Sequence, residues 1–160
     1  MELDRILVPE RTFANLETTS KKRAIEKIAN LLGESTMQFS SDIIYRELIA
    51  REKLGPTALG HGVALPHCRL EQCTDTLCAV FQLSDAVDFG ALDDEPVNII
   101  FVVLFPKSSE TDHLHTLAEI ARRCESEEYR NRLIAASDDK ELYDMVLLEP
   151  DQQVDSRSAL

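Results

Sequence analysis

REKLGPTALGHGVALPH, residues 51–67, passes within one stretch through a helix end, a breaker, a flexible turn, a short apolar strand and a histidine. Leu54 closes a helical pattern. Gly55-Pro56 stops it, because Pro56 has no N–H with which to continue the ladder. Gly60 and Gly62 flank His61 and let the backbone take positive φ and approach another group closely. Val63, Ala64 and Leu65 are apolar enough for a buried strand. Pro66 holds Leu65 extended and is expected to end the ladder. His67 then stands at the first free position beyond the strand, an exposed titratable side chain carried by rigid elements, where chemistry tends to be found.

Upstream, Leu3 to Val8 alternates weakly and reads as an edge strand. Thr18, Thr19 and Ser20 offer N-caps for a helix over 21–32, with Ile25, Ile28, Ala29 and Leu32 on one face and Gly33 as its stop. Ser40 or Ser41 caps a second helix over 42–54, with Arg51 in its last turn, where a cation suits the helix dipole. Downstream, Leu77 to Leu83 alternates as a strand. Val97 to Phe105 is almost continuously apolar, as a central strand covered on both faces reads, and Pro106 ends it. A helix over 111–124 puts Leu114, Leu117, Ala118 and Ala121 on one side, His113 at its edge and His115 on the polar side. Ser126 starts a fourth helix, and Asp138-x-x-Glu141 is a capping box for a fifth ending near Leu148. Residues 150–160 lack periodicity and read as a disordered tail after a domain spanning 1–149. Helices, then strands, then helices predict an α/β fold: a single mixed β-sheet with helices packed on it.

The charge balance excludes some functions. A net charge of −12 argues against non-specific binding to nucleic acid or anionic membrane, which needs a basic patch. Glu2, Asp4 and Arg5 interrupt any signal-peptide pattern, and the run from Ile99 to Phe105 is too short to span a bilayer, so no membrane insertion is expected and the chain reads as cytoplasmic. Cys68, Cys73 and Cys78 are five residues apart, unlike close zinc-binding pairs. Cys78 and Cys124 read as small core residues and the other two as incidental.

Thr57, Gly60, Gly62 and Val63-Ala64-Leu65-Pro66-His67, preceded by Arg51-Glu52, resemble the active-site segment of the enzyme IIA components of the bacterial phosphotransferase system. The branch is the one shared by fructose, mannitol and nitrogen-regulatory components. Phe89-Gly90-Ala91, Glu95-Pro96-Val97, the apolar run to Pro106 and His113-Leu114-His115-Thr116-Leu117-Ala118 extend the resemblance from about Leu3 to about Leu148. Several separated motifs in order make it specific. The resemblance implies the mannitol-type IIA fold, with helices on both faces of the sheet and the active-site histidine in a shallow depression beside it. It implies a phosphohistidine at His67, a phosphotransferase activity, and a second imidazole, His113, facing it.

The chemistry is consistent with those residue types. A phosphocarrier needs a nucleophile that is deprotonated near neutral pH, which an imidazole of pKa about 6.5 supplies. Phosphoryl transfer needs positioning and charge stabilisation more than proton chemistry. Arg51 suits phosphate geometry, and Thr57, Gly60 and Gly62 are candidate phosphate-binding positions. No cofactor or metal is expected. The expected donor is a histidine-phosphorylatable carrier protein. Lys21-Lys22-Arg23-Ala24, Arg51-Glu52-Lys53 and His113-Leu114-His115-Thr116-Leu117 lie closest to the nitrogen-regulatory branch, whose partners are regulatory target proteins.

Bland readings stand beside these. His61 reads as a turn residue, His115 as a solvated one, and Arg51-Glu52 as an ordinary surface ion pair. Competing functions are a sugar-specific IIA serving a membrane permease, a metal-binding protein using His61, His67, His113 and Cys68, and a non-catalytic binding protein of the same fold.

Overall fold

The computed structural model describes residues 3–108 and 110–150, without the side chains of 110–112; the expected tail therefore lies, Pro150 apart, outside the described residues. A six-stranded mixed sheet organises the chain: β1 (Thr12–Leu16), β5 (Leu77–Val87), β6 (Val97–Pro106), β3 (Val63–Ala64) and β2 (Ala58–Gly60) lie side by side in that order, with β4 (His67–Leu70) also paired to β6. Its centre is β5 (Leu77–Val87) against β6 (Val97–Pro106), antiparallel and buried over most of their length. Both were legible as apolar strands, and β5 continues past Leu83 to Val87.

Two expectations for the N-terminal segment fail. Leu3 to Val8 is not an edge strand: Leu3–Ile6 forms the short helix α1, with Leu7 N–H bonded to the Leu3 carbonyl at 3.1 Å. The reason is spacing, since Leu3, Ile6 and Leu7 together enter the core beneath the C-terminal helices. The edge strand is β1 (Thr12–Leu16), parallel to β5, with Phe13 stacked on Phe81 at 5.1 Å. Nothing in the sequence reading marked it.

On one face lie α2 (Lys21–Thr36) and α3 (Ser41–Lys53), capped by the Ser20 and Ser40 hydroxyls as their positions predict. Gly33 does not stop α2, which runs on to Thr36. A Cβ on Gly33 would lie 2.8 Å from the Ser41 nitrogen, so the glycine serves the close approach of α3 rather than a helix end. On the other face lie α4 (Glu110–Cys124), α5 (Glu127–Ala135) and α6 (Asp139–Leu147). Ser126 and Asp138 cap α5 and α6, and the Glu141 carboxylate reaches back to Ser137 N–H and Oγ.

The buried face of α4 is not the expected one. Leu114 is 73% exposed, whereas His113, Thr116, Ile120, Arg123 and Cys124 are buried. The hydropathy pattern misplaced the face because the buried stripe itself carries polar side chains. All four cysteines are buried and free, so Cys68 and Cys73 are core residues too, and burial pushes the Cys68 and Cys78 thiols up to about 12.

Candidate active site

The decisive stretch folds as a hairpin followed by an interrupted strand. β2 (Ala58–Gly60) turns through His61 and Gly62 into β3 (Val63–Ala64), which runs parallel to β6. Pro66 does not end the ladder. The strand resumes as β4 (His67–Leu70), and the register is unbroken: Val63 faces Ile99 and His67 faces Val103. Pro66 tolerates this because it needs only its carbonyl, which accepts from Val103 N–H at 3.1 Å. His67 is therefore the first residue of a resumed strand, not a free position beyond one, and it is half-buried rather than exposed.

Strand alternation points His67 to the α4 face, with Val63 and Leu65. There Phe105 separates two imidazoles. Its ring meets His67 edge-on at 6.5 Å between centroids and stacks on His113 at 4.0 Å. His113 is the inward histidine of α4 and His115 the exposed one, as its helical position predicts. Both His67 and His113 line a depression of about 840 Å³ that Arg51 also enters from the end of α3. Arg51 donates through Nη1 to the Gly55 carbonyl at 3.0 Å, which tethers the side chain across the helix end.

Two further cations line the depression, Arg69 and Lys107, and among the described side chains one carboxylate, Glu47. A chain of net charge −12 thus gathers cations around one histidine. The sequence reading missed both. Arg69 was open to it, because it stands two residues after His67 and so on the same strand face. At the same depression Leu54 and Leu114 are 84% and 73% exposed.

The proton on His67 has a defined place. Nδ1 lies 2.9 Å from the Leu65 carbonyl oxygen, which can only accept, so Nδ1 carries the hydrogen and Nε2 keeps its lone pair. Burial holds the imidazole below its ordinary pKa. The Leu65 carbonyl and Glu52 act in the opposite direction, Arg51 and His113 in the same one. The neutral, nucleophilic form is thereby favoured at neutral pH.

Thr57, Gly60 and Gly62 are not brought to this depression. Thr57 is buried, and both its N–H and its Oγ1 donate to the Glu52 carboxylate, at 2.9 and 2.7 Å. Gly60 and Gly62 form the β2–β3 turn, with φ of +95° and +81°, against Asp93 and Asn98. The Asp93 carboxylate accepts from His61 N–H at 2.8 Å there. Nor is Arg51-Glu52 a surface pair: Glu52 is 8% exposed and bonds Lys21 Nζ at 2.7 Å. Among the described residues no three His, Cys, Asp or Glu side chains are grouped to hold a metal ion, and no helix is long and apolar enough to cross a membrane.

A half-buried histidine, a second imidazole and three cations thus line one depression. The family described as "Phosphoenolpyruvate-dependent sugar phosphotransferase system, EIIA 2" matches residues 5–148, and the chain belongs to it. The sequence is 42% identical over 147 residues to a nitrogen regulatory protein of Pseudomonas aeruginosa, covering 92% of this chain and 96% of that one. It is 35% identical over 147 residues to the nitrogen regulatory protein of Escherichia coli, covering 91% of this chain and 90% of that one. The fold matches the crystal structure of nitrogen regulatory protein IIA-Ntr from Neisseria meningitidis with a TM-score of 0.82 at 34% identity, over 89% of this chain and 97% of that one. The chain is a phosphotransferase-system phosphocarrier of the nitrogen-regulatory branch.

Proposed function

We propose that Nε2 of His67 accepts a phosphoryl group from a phosphohistidine on a carrier protein and holds it in the depression between Arg51 and His113. The observation that carries this is the Nδ1 contact to the Leu65 carbonyl, which leaves Nε2 bare in a cation-lined depression. The step balances without a proton. The P–N bond of the donor breaks, the donor ring, protonated on its other nitrogen, leaves with the electron pair as neutral imidazole, and a P–Nε2 bond forms on a ring that keeps its Nδ1–H. Arg51, Arg69 and Lys107 offset charge on the phosphoryl oxygens, and the His113 ring donates to one of them. No metal ion is needed for that stabilisation.

The phosphoryl group adds about −1.5 to −2 charges. In this depression it cancels most of the charge of a cationic patch, so any protein docking there distinguishes the two states. On this reading the targets are regulatory proteins and the compartment is the cytoplasm.

The test is phosphoryl transfer from a phosphoenolpyruvate-driven carrier system to the wild-type protein beside His67→Ala. The expected result is a label that is acid-labile, alkali-stable and absent from the variant. No label on the wild type, with the carrier shown to be active on another acceptor, overturns the reading. Passage of the label to a membrane sugar permease marks a sugar-transport role instead of a regulatory one.

A further inference from the structure

Glu52 stands where local preferences oppose it. It lies in the last turn of α3, where the helix dipole disfavours a carboxylate, and it is 8% exposed. Three donors compensate: Lys21 Nζ at 2.7 Å, Thr57 N–H at 2.9 Å and Thr57 Oγ1 at 2.7 Å. A staple between α2 and α3 needs only the lysine. The two bonds to Thr57 fix a residue outside both helices, on the way into β2.

Thr57 in turn leads to the histidine. Its carbonyl accepts from Leu65 N–H at 3.0 Å. Leu65 sits in the gap between β3 and β4, so this bond anchors the backbone where the strand is interrupted. The Leu65 carbonyl, whose peptide partner Pro66 has no N–H, accepts from Nδ1 of His67 at 2.9 Å. The path Lys21, Glu52, Thr57, Leu65, His67 is continuous, each link a hydrogen bond or ion pair of 2.7 to 3.0 Å or a single residue's backbone.

We propose that Glu52 is a positioning residue for His67: by holding Thr57, and through it Leu65, it keeps the ring proton on Nδ1 and Nε2 bare. The significance of a bare Nε2 rests on the reading of His67 as the phosphoryl acceptor. Glu52 also acts on the ring through space, raising its pKa against burial, while Arg51 from the same helix and His113 from α4 lower it. Among the described side chains, Glu47, Arg69 and Lys107 are the other charged groups lining the depression. Loss of the Glu52 charge therefore has two separate signatures, a mixed tautomer and a lower His67 pKa.

The experiment uses the full chain labelled with ¹⁵N-histidine, as wild type, Glu52→Gln and Thr57→Val. The ¹⁵N shifts give the tautomer and pKa of each ring, with the exposed His61 and His115 as internal controls. In the wild type His67 is expected as the Nδ1–H tautomer. In Glu52→Gln a mixture with Nε2–H appears, the His67 pKa falls, and transfer from the phosphorylated carrier slows about tenfold at unchanged KM for the carrier, in proportion to the competent fraction. Thr57→Val shifts the tautomer in the same direction by less. A folded Glu52→Gln protein with the wild-type tautomer and rate overturns the proposal. If Glu52→Gln does not fold, a Thr57→Val protein with the wild-type tautomer and rate overturns it instead. Absence of label on wild-type His67 sinks the phosphocarrier reading alone, because the tautomer measurement needs no phosphate.

Discussion

Two buried ion clusters lie on opposite faces of the sheet. On the α4–α6 face Arg123 is 0% exposed and bonds Glu119 at 3.1 Å, Glu149 at 2.9 Å and the Val146 carbonyl at 3.1 Å. On the α2–α3 face Lys21 meets Glu52. In composition they are alike, one buried charge, Arg123 or Glu52, met by partly exposed opposite charge. They differ in where their remaining hydrogen bonds go. Arg123 serves the end of α6, and the Tyr129 hydroxyl donates to the same Val146 carbonyl at 2.7 Å, so its partners are helix-end groups that must be satisfied anyway. Glu52 serves Thr57 and, through it, the strand gap beside His67. A buried charge is weak evidence of purpose until its other bonds are followed.

The comparison breaks most visibly at Arg123. Arg123→Ala empties a fully buried site and removes the charged donor to the Val146 carbonyl, and a loss of about 2–5 kcal/mol of stability is expected although Glu119 keeps Arg122 and the carbonyl keeps Tyr129. Urea unfolding measures it. Phosphoryl transfer per folded molecule should stay at the wild-type value, since the bonds described for Arg123 run to Glu119, Glu149 and the end of α6. A folded Arg123→Ala protein with slowed transfer would show that the Arg123 cluster also acts on the depression.

Lys21→Met sharpens the contrast from the other side. Lys21 is partly exposed and also donates to the Phe89 carbonyl at 3.2 Å, so water can replace some of what is lost. A smaller cost of about 2 kcal/mol is expected, the size of one buried charged hydrogen bond left unmade. Unlike Arg123→Ala, this variant should also disturb His67, because Glu52 loses its counter-charge. The readout is transfer rate beside unfolding free energy: a stability loss with the wild-type rate would make Lys21–Glu52 a staple like the Arg123 cluster.

Neither cluster was legible in the sequence. Arg123 reads as one more cation on a charged helix, and its burial follows from α5 and α6 closing over it. Glu52 reads as half of a surface pair with Arg51, because its partners stand 31 residues before it in α2 and 5 after it in a loop. Local pattern carries the apolar strands, the serine caps and the amphipathic face of α2, all of which are decided by neighbours in the chain. It does not carry β1, whose place depends on pairing with β5, nor the buried face of α4, whose polar residues find partners elsewhere. At the site, the motif led to His67, His113 and Arg51, which line one depression. Thr57, Gly60 and Gly62 belong to the same motif for another reason, shaping the turn and the strand gap rather than lining the depression.

The smallest expected effect concerns protons. The folded-state pKa of His67 lies below the ordinary value of 6.5, chiefly because burial disfavours the charged ring. Between the two values the unfolded chain binds more protons than the folded one, so the His67 contribution to stability rises with pH across that window. It is level above about 6.5 and level again below the folded pKa. The stability difference between wild type and His67→Gln, followed by urea unfolding from neutral to acid pH, isolates this contribution, because groups not coupled to His67 cancel. Wild type should lose ground to the variant as pH falls through the window. The same depression of the pKa keeps Nε2 unprotonated below 6.5, so the acid limb of phosphoryl transfer should lie below that value as well. A limb at or above 6.5 would mean that Glu52 and the Leu65 carbonyl outweigh burial at this ring, and the tautomer lock would then stand without the pKa depression.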